Sequence, residues 1–280
     1  MKSLIFLIVL FVFSACRFNE YIIDEGETKL VIEGWIDEGD VARVLLSRSI
    51  PVTERVDSIS FLLYSVRSAM VIVSDGIEYD TLRLTSTSRH LPPFLYVGSK
   101  IIGQTGGTYK LYVIWQSKTY TAETIIPPSV SIDDVRYIRD NPTDTIGSIE
   151  IKFTQPFGKQ KYYQIATMLE GHDRIYVPCL YGNFNSINFA SSDVRIKLSR
   201  GVTVFPRTNI DSNFKDGDVI RIRLRTMSKE GFDFWNIWQN EIINSQNAIF
   251  PANKSLKSNI TGGIGIWCGY GQSTVRITAR

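Results

Sequence analysis

In Val219-Ile-Arg-Ile-Arg-Leu-Arg225, apolar and basic residues alternate from Ile220 onward. Successive side chains of an extended strand point to opposite faces. Ile220, Ile222 and Leu224 therefore share one face, and Arg221, Arg223 and Arg225 share the other. A helix would scatter both sets around its axis, so the pattern specifies a half-buried β-strand. Asp216-Gly-Asp218, directly before it, is a polar turn into that strand. It lacks the continuation of a calcium loop, whose twelfth position would need a glutamate and holds Met227.

The same period of two recurs on both sides of this stretch. Ile149-Glu-Ile-Lys-Phe153 and Tyr162 to Leu169 alternate upstream. Nearer the amino terminus, Lys29-Leu-Val-Ile-Glu-Gly-Trp-Ile36 and Val41-Ala-Arg-Val-Leu-Leu-Ser47 flank the turn Asp37-Glu-Gly-Asp40. Ala69-Met-Val-Ile-Val-Ser74 closes on Asp75-Gly76, a strong hairpin signal, and Ile77 to Leu84 is expected to pair back onto it. Gly106-Gly107 leads into Thr108-Tyr-Lys-Leu-Tyr-Val-Ile-Trp115, and Gln116-Ser-Lys118 turns into Thr119 to Ile126.

Short strands punctuated by Gly, Asp and Ser predict a mostly β chain. The expected architecture is two consecutive antiparallel β-sandwich domains of Ig-like or jelly-roll-like type. Pro127-Pro128 ends the last strand of the first, because proline cannot donate to a ladder. The expected division is 28–126 for the first domain, 127–134 for a linker and 135–280 for the second. One amphipathic helix is expected near 229–244. Ser228 is its N-cap, and Phe234, Trp235, Trp238, Ile242 and Ile243 lie in one apolar stripe that packs on a sheet.

Composition narrows the function classes. The chain has 280 residues, 44% of them hydrophobic, which excludes a disordered or collagen-like protein. Only two histidines (His90 and His172) and three cysteines (Cys16, Cys179 and Cys268) occur, which argues against zinc clusters and most Ser-His or Cys-His nucleophiles. A formal net charge of +3 is too small to suggest bulk nucleic-acid binding. That charge is uneven: residues 16–27 carry a net −3, residues 28–126 are neutral, and residues 127–280 carry +5.

The amino terminus is a targeting segment. Lys2 precedes an apolar run from Leu4 to Phe13, which is too short for the roughly 20 residues that span a bilayer. Phe13-Ser-Ala-Cys16 resembles a bacterial lipobox, with residues 1–15 as signal peptide and Cys16 as the lipidated residue. Acyl chains there, palmitate among them, would anchor the protein stably at about 0.8 kcal/mol per buried CH₂. The acidic residues 16–27 then read as a tether.

Taken in order, these segments resemble a family of Bacteroidota lipoproteins known as domain of unknown function 4249. The resemblance rests on the Cys16 lipobox, Lys29 to Ile36, Val44-Leu-Leu-Ser-Arg-Ser49, Gly107-Thr-Tyr-Lys-Leu-Tyr-Val113 and Tyr120-Thr-Ala-Glu-Thr-Ile-Ile-Pro-Pro128. It continues with Ser228-Lys-Glu-Gly-Phe-Asp-Phe-Trp235, Pro251-Ala-Asn253 and Ser258-Asn-Ile-Thr-Gly-Gly-Ile-Gly-Ile-Trp267. It implies a two-part, mostly β, outer-membrane lipoprotein whose partner is a TonB-dependent receptor in nutrient uptake. It implies no catalytic residue and no cofactor. Surface-exposed members often carry acidic residues directly after the lipid cysteine. This chain reads Cys16-Arg17-Phe18-Asn19-Glu20, so the periplasmic and cell-surface faces both stay open.

The remaining candidates are few. Arg221, Arg223 and Arg225, with Arg195, Lys197 and Arg200 nearby in sequence, suit either docking of an anion or acidic partner, or a plain solvated sheet face. Cys179 and Cys268 form either a disulfide or two separate buried thiols. His172, beside Asp173, reads as a loop residue. Gly262 to Gly271 reads as close strand approach rather than a dinucleotide cradle, because it precedes a strand and Cys268 replaces the last glycine. The expected function is a non-catalytic accessory or ligand-binding lipoprotein. The alternative is a structural or envelope-assembly lipoprotein that binds a partner protein.

Overall fold

A computed structural model describes residues 28–50, 62–90, 92–156, 158, 160–201, 213–244 and 256–280. The signal segment, Cys16, the tether and Pro251-Ala-Asn253 lie outside the described residues, as do the side chains of Ile242 and Ile243. The chain is mostly β, as its alternation predicts. In chain order the first strands are β1 (Leu30–Asp37), β2 (Val41–Arg48), β3 (Met70–Ser74), β4 (Tyr79–Thr81), β5 (Arg83–Ser86), β6 (Phe94–Ile102), β7 (Thr108–Trp115) and β8 (Lys118–Ile125). There follow β9 (Ile132–Ile138), β10 (Ile146–Thr154), β11 (Tyr162–Leu169), β12 (Val177–Asn185), β13 (Asp193–Leu198), β14 (Phe214–Lys215) and β15 (Val219–Met227). Helix α1 (Lys229–Asn244) and the long strand β16 (Ile264–Thr278) complete the described elements.

One eight-stranded sheet runs in the order β12-β11-β15-β16-β1-β2-β6-β5. Two four-stranded sheets cover different parts of its apolar face. The sheet β4-β3-β7-β8 packs on β1, β2 and β6, joining Ile32, Ile36, Val44, Leu46, Val71, Val73, Leu111 and Val113 in one core. The sheet of β9, β10, β13 and β14 packs on β11 and β15, where Ile149, Ile151, Phe153, Phe214, Ile165, Ile220, Ile222 and Leu224 form a second core. Two sandwich-like layers therefore share one long sheet.

Strand β16 makes the joint. Its first half pairs in parallel with β1, from Val31↔Ile264 to Asp37↔Tyr270. Its second half pairs antiparallel with β15, from Thr226↔Gly271 to Val219↔Thr278. Trp267 on this strand is fully buried in the first core, and its indole N–H donates to the Tyr109 carbonyl at 2.9 Å. The sandwich begun by residues 28–126 is thus completed by the last strand of the chain. Alternation in the sequence does not show this, because a parallel pairing between chain ends leaves no local signal.

The glycines of β16 allow the close approach. A Cβ at Gly265, whose φ is +127°, would sit 1.9 Å from the Ile32 carbonyl oxygen. One at Gly271 would sit 2.3 Å from the Pro127 carbonyl oxygen, where the connection between the two layers crosses the strand. Position 271 therefore takes glycine for want of space, and position 265 for both space and backbone conformation.

The hairpin expected from Ile77 to Leu84 divides in two. β4 pairs with β3 through Val73↔Asp80, whereas Leu84 lies in β5 and pairs with Tyr96 across in the long sheet. The buried Asp80 pins this corner: its Oδ2 accepts from the backbone amides of Ser99, Lys100 and Ile101.

Helix α1 begins as the sequence predicts, with the Ser228 hydroxyl accepting from the Gly231 amide at 3.2 Å. It lies on the opposite face of the long sheet, where Phe234 and Trp235 pack with Ile266, Cys268 and Tyr270. A Cβ at Gly231 would meet the Cys268 sulfur at 2.5 Å, so glycine lets the helix sit close to β16. Among the described residues no helix is long and apolar enough to cross a membrane.

Candidate functional site

The second face of the long sheet is polar where α1 leaves it uncovered. Register places Arg221 opposite Arg276, Arg223 opposite Thr274, and Arg225 opposite Gln272 on β16. Beside Gln272, Tyr270 pairs with Asp37 of β1. The arginine stripe read from the sequence therefore exists, but the three residues have three different surroundings.

Arg221 is exposed and bonded to Glu170 at 2.6 Å. Arg276 donates from Nε and Nη2 to the two oxygens of the same carboxylate at 3.1 Å each. Hydrogen bonds from Arg276 and then Arg221 bring the Glu170 carboxyl down to about 2. This outer end of the stripe is a solvated ion-pair cluster.

Arg225 is buried, at 8% exposure, and belongs to the interior. Its Nη2 lies 2.8 and 2.9 Å from the two oxygens of Asp37, which is 4% exposed, and its guanidinium stacks on Tyr270 with Cζ 4.2 Å from the ring centre. Tyr270 is itself held by the Trp235 indole N–H, which donates to its hydroxyl at 2.7 Å. Burial raises the Tyr270 phenol well above its ordinary value, so it stays neutral. The expectation that Arg225 docks an external group is corrected: it ties β15 to β1 across the joint.

Arg223 lies between these ends, half-buried, with its Cζ 4.2 Å from the ring centre of Tyr176. Its Nε is closed off from solvent and meets no acceptor among the described residues. Burial, and then the neighbouring Arg225 charge, bring its guanidinium down to about 9, so it remains protonated at neutral pH. The carboxylates nearby are committed elsewhere, Asp37 to Arg225 and Glu170 to Arg221 and Arg276. Counting Arg221, Arg223, Arg225 and Arg276 against Asp37, Glu170 and the Glu33 carboxylate that feels the Arg225 charge, the described part of this face carries a formal +1.

Two loops border the same face. The loop after β11 carries Tyr176, and its Arg174 donates to the Ser88 carbonyl at 3.1 Å on the loop before β6. That second loop lays His90 against Trp35, with ring centres 5.9 Å apart. His90 Nδ1 is buried and meets no partner among the described residues, and burial followed by the Arg43 and Arg89 charges lowers its pKa. Glu33 is open to solvent yet has protein on several sides. That surrounding raises its carboxyl above the usual carboxylate range, while the Arg225 charge lowers it. Under the helix the polar groups are paired instead. Gln164 donates to Asn183 at 3.1 Å, and Asn183 donates to Gln239 at 2.8 Å.

The other sequence candidates fall elsewhere. Arg195 pairs with Glu150, Lys197 with Asp140 and Arg200 with Asp173, so they do not extend the β15 stripe. Cys179 and Cys268 are free, buried thiols in different cores, the first between β10, β11 and β12 and the second under α1. The disulfide alternative is thereby corrected, since packing sends the two side chains into separate clusters. Burial pushes both thiols up to about 12. His172 is an exposed loop residue. Asp218 caps its own turn by accepting from the Lys215 amide at 2.8 Å, and Asp216 pairs with Arg139. Among the described residues no group of three or more His, Cys, Asp or Glu could hold a metal ion.

Asp37, His90 and Glu33 were not singled out from the sequence as site residues, and Tyr176 stood out only as one of many aromatic residues in the second half of the chain. Asp37 stands 188 positions from Arg225, and nothing local marks it as more than a turn residue. A separate groove of about 340 Å³ on the outer face of β7 and β8 is lined by Lys110, Tyr112, Glu123 and Asn259. Lys110 and Glu123 there pair with each other at 3.4 Å, which makes it chemically balanced where the Arg223 face is not.

The profile of the family described as Domain of unknown function (DUF4249) matches residues 18–276. Among curated proteins none shows a significant match to the chain.

Proposed function

The chain belongs to the DUF4249 family, and from that premise we propose that it is a lipid-anchored outer-membrane accessory protein with no catalytic task. It would capture a ligand for a TonB-dependent receptor in nutrient uptake. Cys16, after the short apolar run Leu4 to Phe13, supports the anchor. The polar face around Arg223 carries the capture part of the reading, because its positive charge exceeds its carboxylates and aromatic rings border it. Confinement to a membrane surface would raise the local concentration beside a receptor, as a tether does.

Mild detergent extraction followed by mass spectrometry of co-purifying proteins tests the partnership. A TonB-dependent receptor in the complex is the expected result; a stable complex without one overturns it. Metabolic labelling with palmitate that survives in a Cys16→Ala variant would overturn the anchor. The alternative, a structural lipoprotein that docks an envelope partner, draws on the exposed Met70, Tyr79 and Ile114 of the β4-β3-β7-β8 sheet and Ile77 in its β3–β4 turn. In that case the same complex would hold an envelope protein bound through that sheet.

A further inference from the structure

The guanidinium of Arg223 is protonated, half-buried and, among the described residues, without a carboxylate partner, which is an unusual state for a side chain with five hydrogen-bond donors. On one side Nε is sealed from solvent and has no acceptor among the described residues. Its two Nη groups are neither sealed nor hydrogen-bonded within the described residues, so they are the reachable edge of the group. The Tyr176 ring lies over the guanidinium, its centre 4.2 Å from Cζ, which limits the directions from which an acceptor can approach. Thr274 stands directly opposite Arg223 on β16 and is exposed, and Gln272, half-buried, stands opposite Arg225. β1 pairs with β16 only as far as Tyr270, so these two polar side chains stand beyond the end of that pairing.

We propose that Arg223, with Thr274 beside it and Tyr176 stacked upon it, anchors an oxyanion-binding site for a small ligand carrying a carboxylate or a phosphate. A planar guanidinium edge suits either group, since two acceptor oxygens can meet two N–H donors. Each neighbouring arginine already has its counter-charge. The ligand's negative charge therefore goes to Arg223, and binding offsets the excess charge of the stripe. The inference rests on the ligand-capture part of the proposed function and is independent of any receptor.

The test uses the mature lipoprotein in detergent, titrated with sodium phosphate and with sodium succinate against sodium chloride at equal ionic strength. Intrinsic tyrosine and tryptophan fluorescence and the thermal midpoint are followed together. A saturable response to phosphate or succinate, absent with chloride, is expected. Arg223→Gln should weaken it by about tenfold or more, the scale of a lost charge-assisted pair, and Arg221→Gln should leave it largely intact. Preference for succinate assigns a carboxylate ligand, and preference for phosphate a phosphorylated one. Without added anion, Arg223→Gln should unfold at the wild-type temperature or above, because it removes a charge that has no partner. No saturable response to either anion overturns the proposal, as does an equal response in Arg223→Gln. So does a loss of stability in that variant comparable to breaking the Arg225–Asp37 pair, since it would make Arg223 a structural residue. A receptor missing from the detergent complex would leave this result untouched, so the two readings fail separately.

Discussion

The inner and outer ends of the arginine stripe carry the same residue on the same face of one strand, yet they perform opposite tasks. At the outer end Arg221 and Arg276 share Glu170 in solvent, where water screens the attraction. At the inner end Arg225 and Asp37 are both nearly excluded from water, so each depends on the other. The identity of a side chain thus says little about its role until its burial is known. The position of the end of β1 and the placement of α1 decide which arginine is structural, and they leave Arg223 between the two regimes.

The largest effect should come from the joint itself. Trp267→Ala empties a fully buried site that β16 contributes to the first core, and should cost about 3–5 kcal/mol in denaturant unfolding. A cost near zero would mean that the first sandwich stands without the chain end. Asp37→Ala strands the buried Arg225 charge and should cost about 3–5 kcal/mol by the same measurement. Replacing the pair together, as Asp37→Leu with Arg225→Met, should recover much of that loss. If the double variant is as unstable as the single one, the stranded charge is not the cause.

At the outer end, Glu170→Gln should have a clearly smaller effect than Asp37→Ala. The sign of its pH dependence is fixed: the native carboxyl is depressed to about 2 from an ordinary 4.5. Its contribution is therefore present above about 4.5 and fades as pH falls toward 2. A wild-type advantage that grows on acidification would contradict the pairing. The smallest perturbation concerns the thiols. Cys179 and Cys268 should resist maleimide in the native protein and both react after unfolding without reductant. Labelling at neither cysteine in the unfolded chain until reductant is added would restore the disulfide.

Particular elements show how far local pattern reaches. β15, β7 and the Ser228 cap are legible because their signals lie within a few residues: strict alternation, a Gly-Gly turn, a hydroxyl before an apolar stripe. The split between β4 and β5 was not legible, since it depends on Asp80 reaching three amides of β6 some twenty positions away. The arginine stripe was legible as a face, but not its division into an internal tie, a free cation and a solvated cluster. The partners Asp37, Tyr176 and Glu170 come from other strands and loops.

Local pattern is enough to make this chain β-rich, to set which side chains of each strand share a face, and to start its helix. Those properties follow from periods of two and 3.6 and from backbone groups that seek partners nearby. Packing between distant segments brings the last strand into the first core, buries Arg225 against Asp37, and leaves Arg223 charged with no carboxylate among the described residues. Each of these depends on which distant segment excludes water from a given side chain, and that is a property of packing between chain ends.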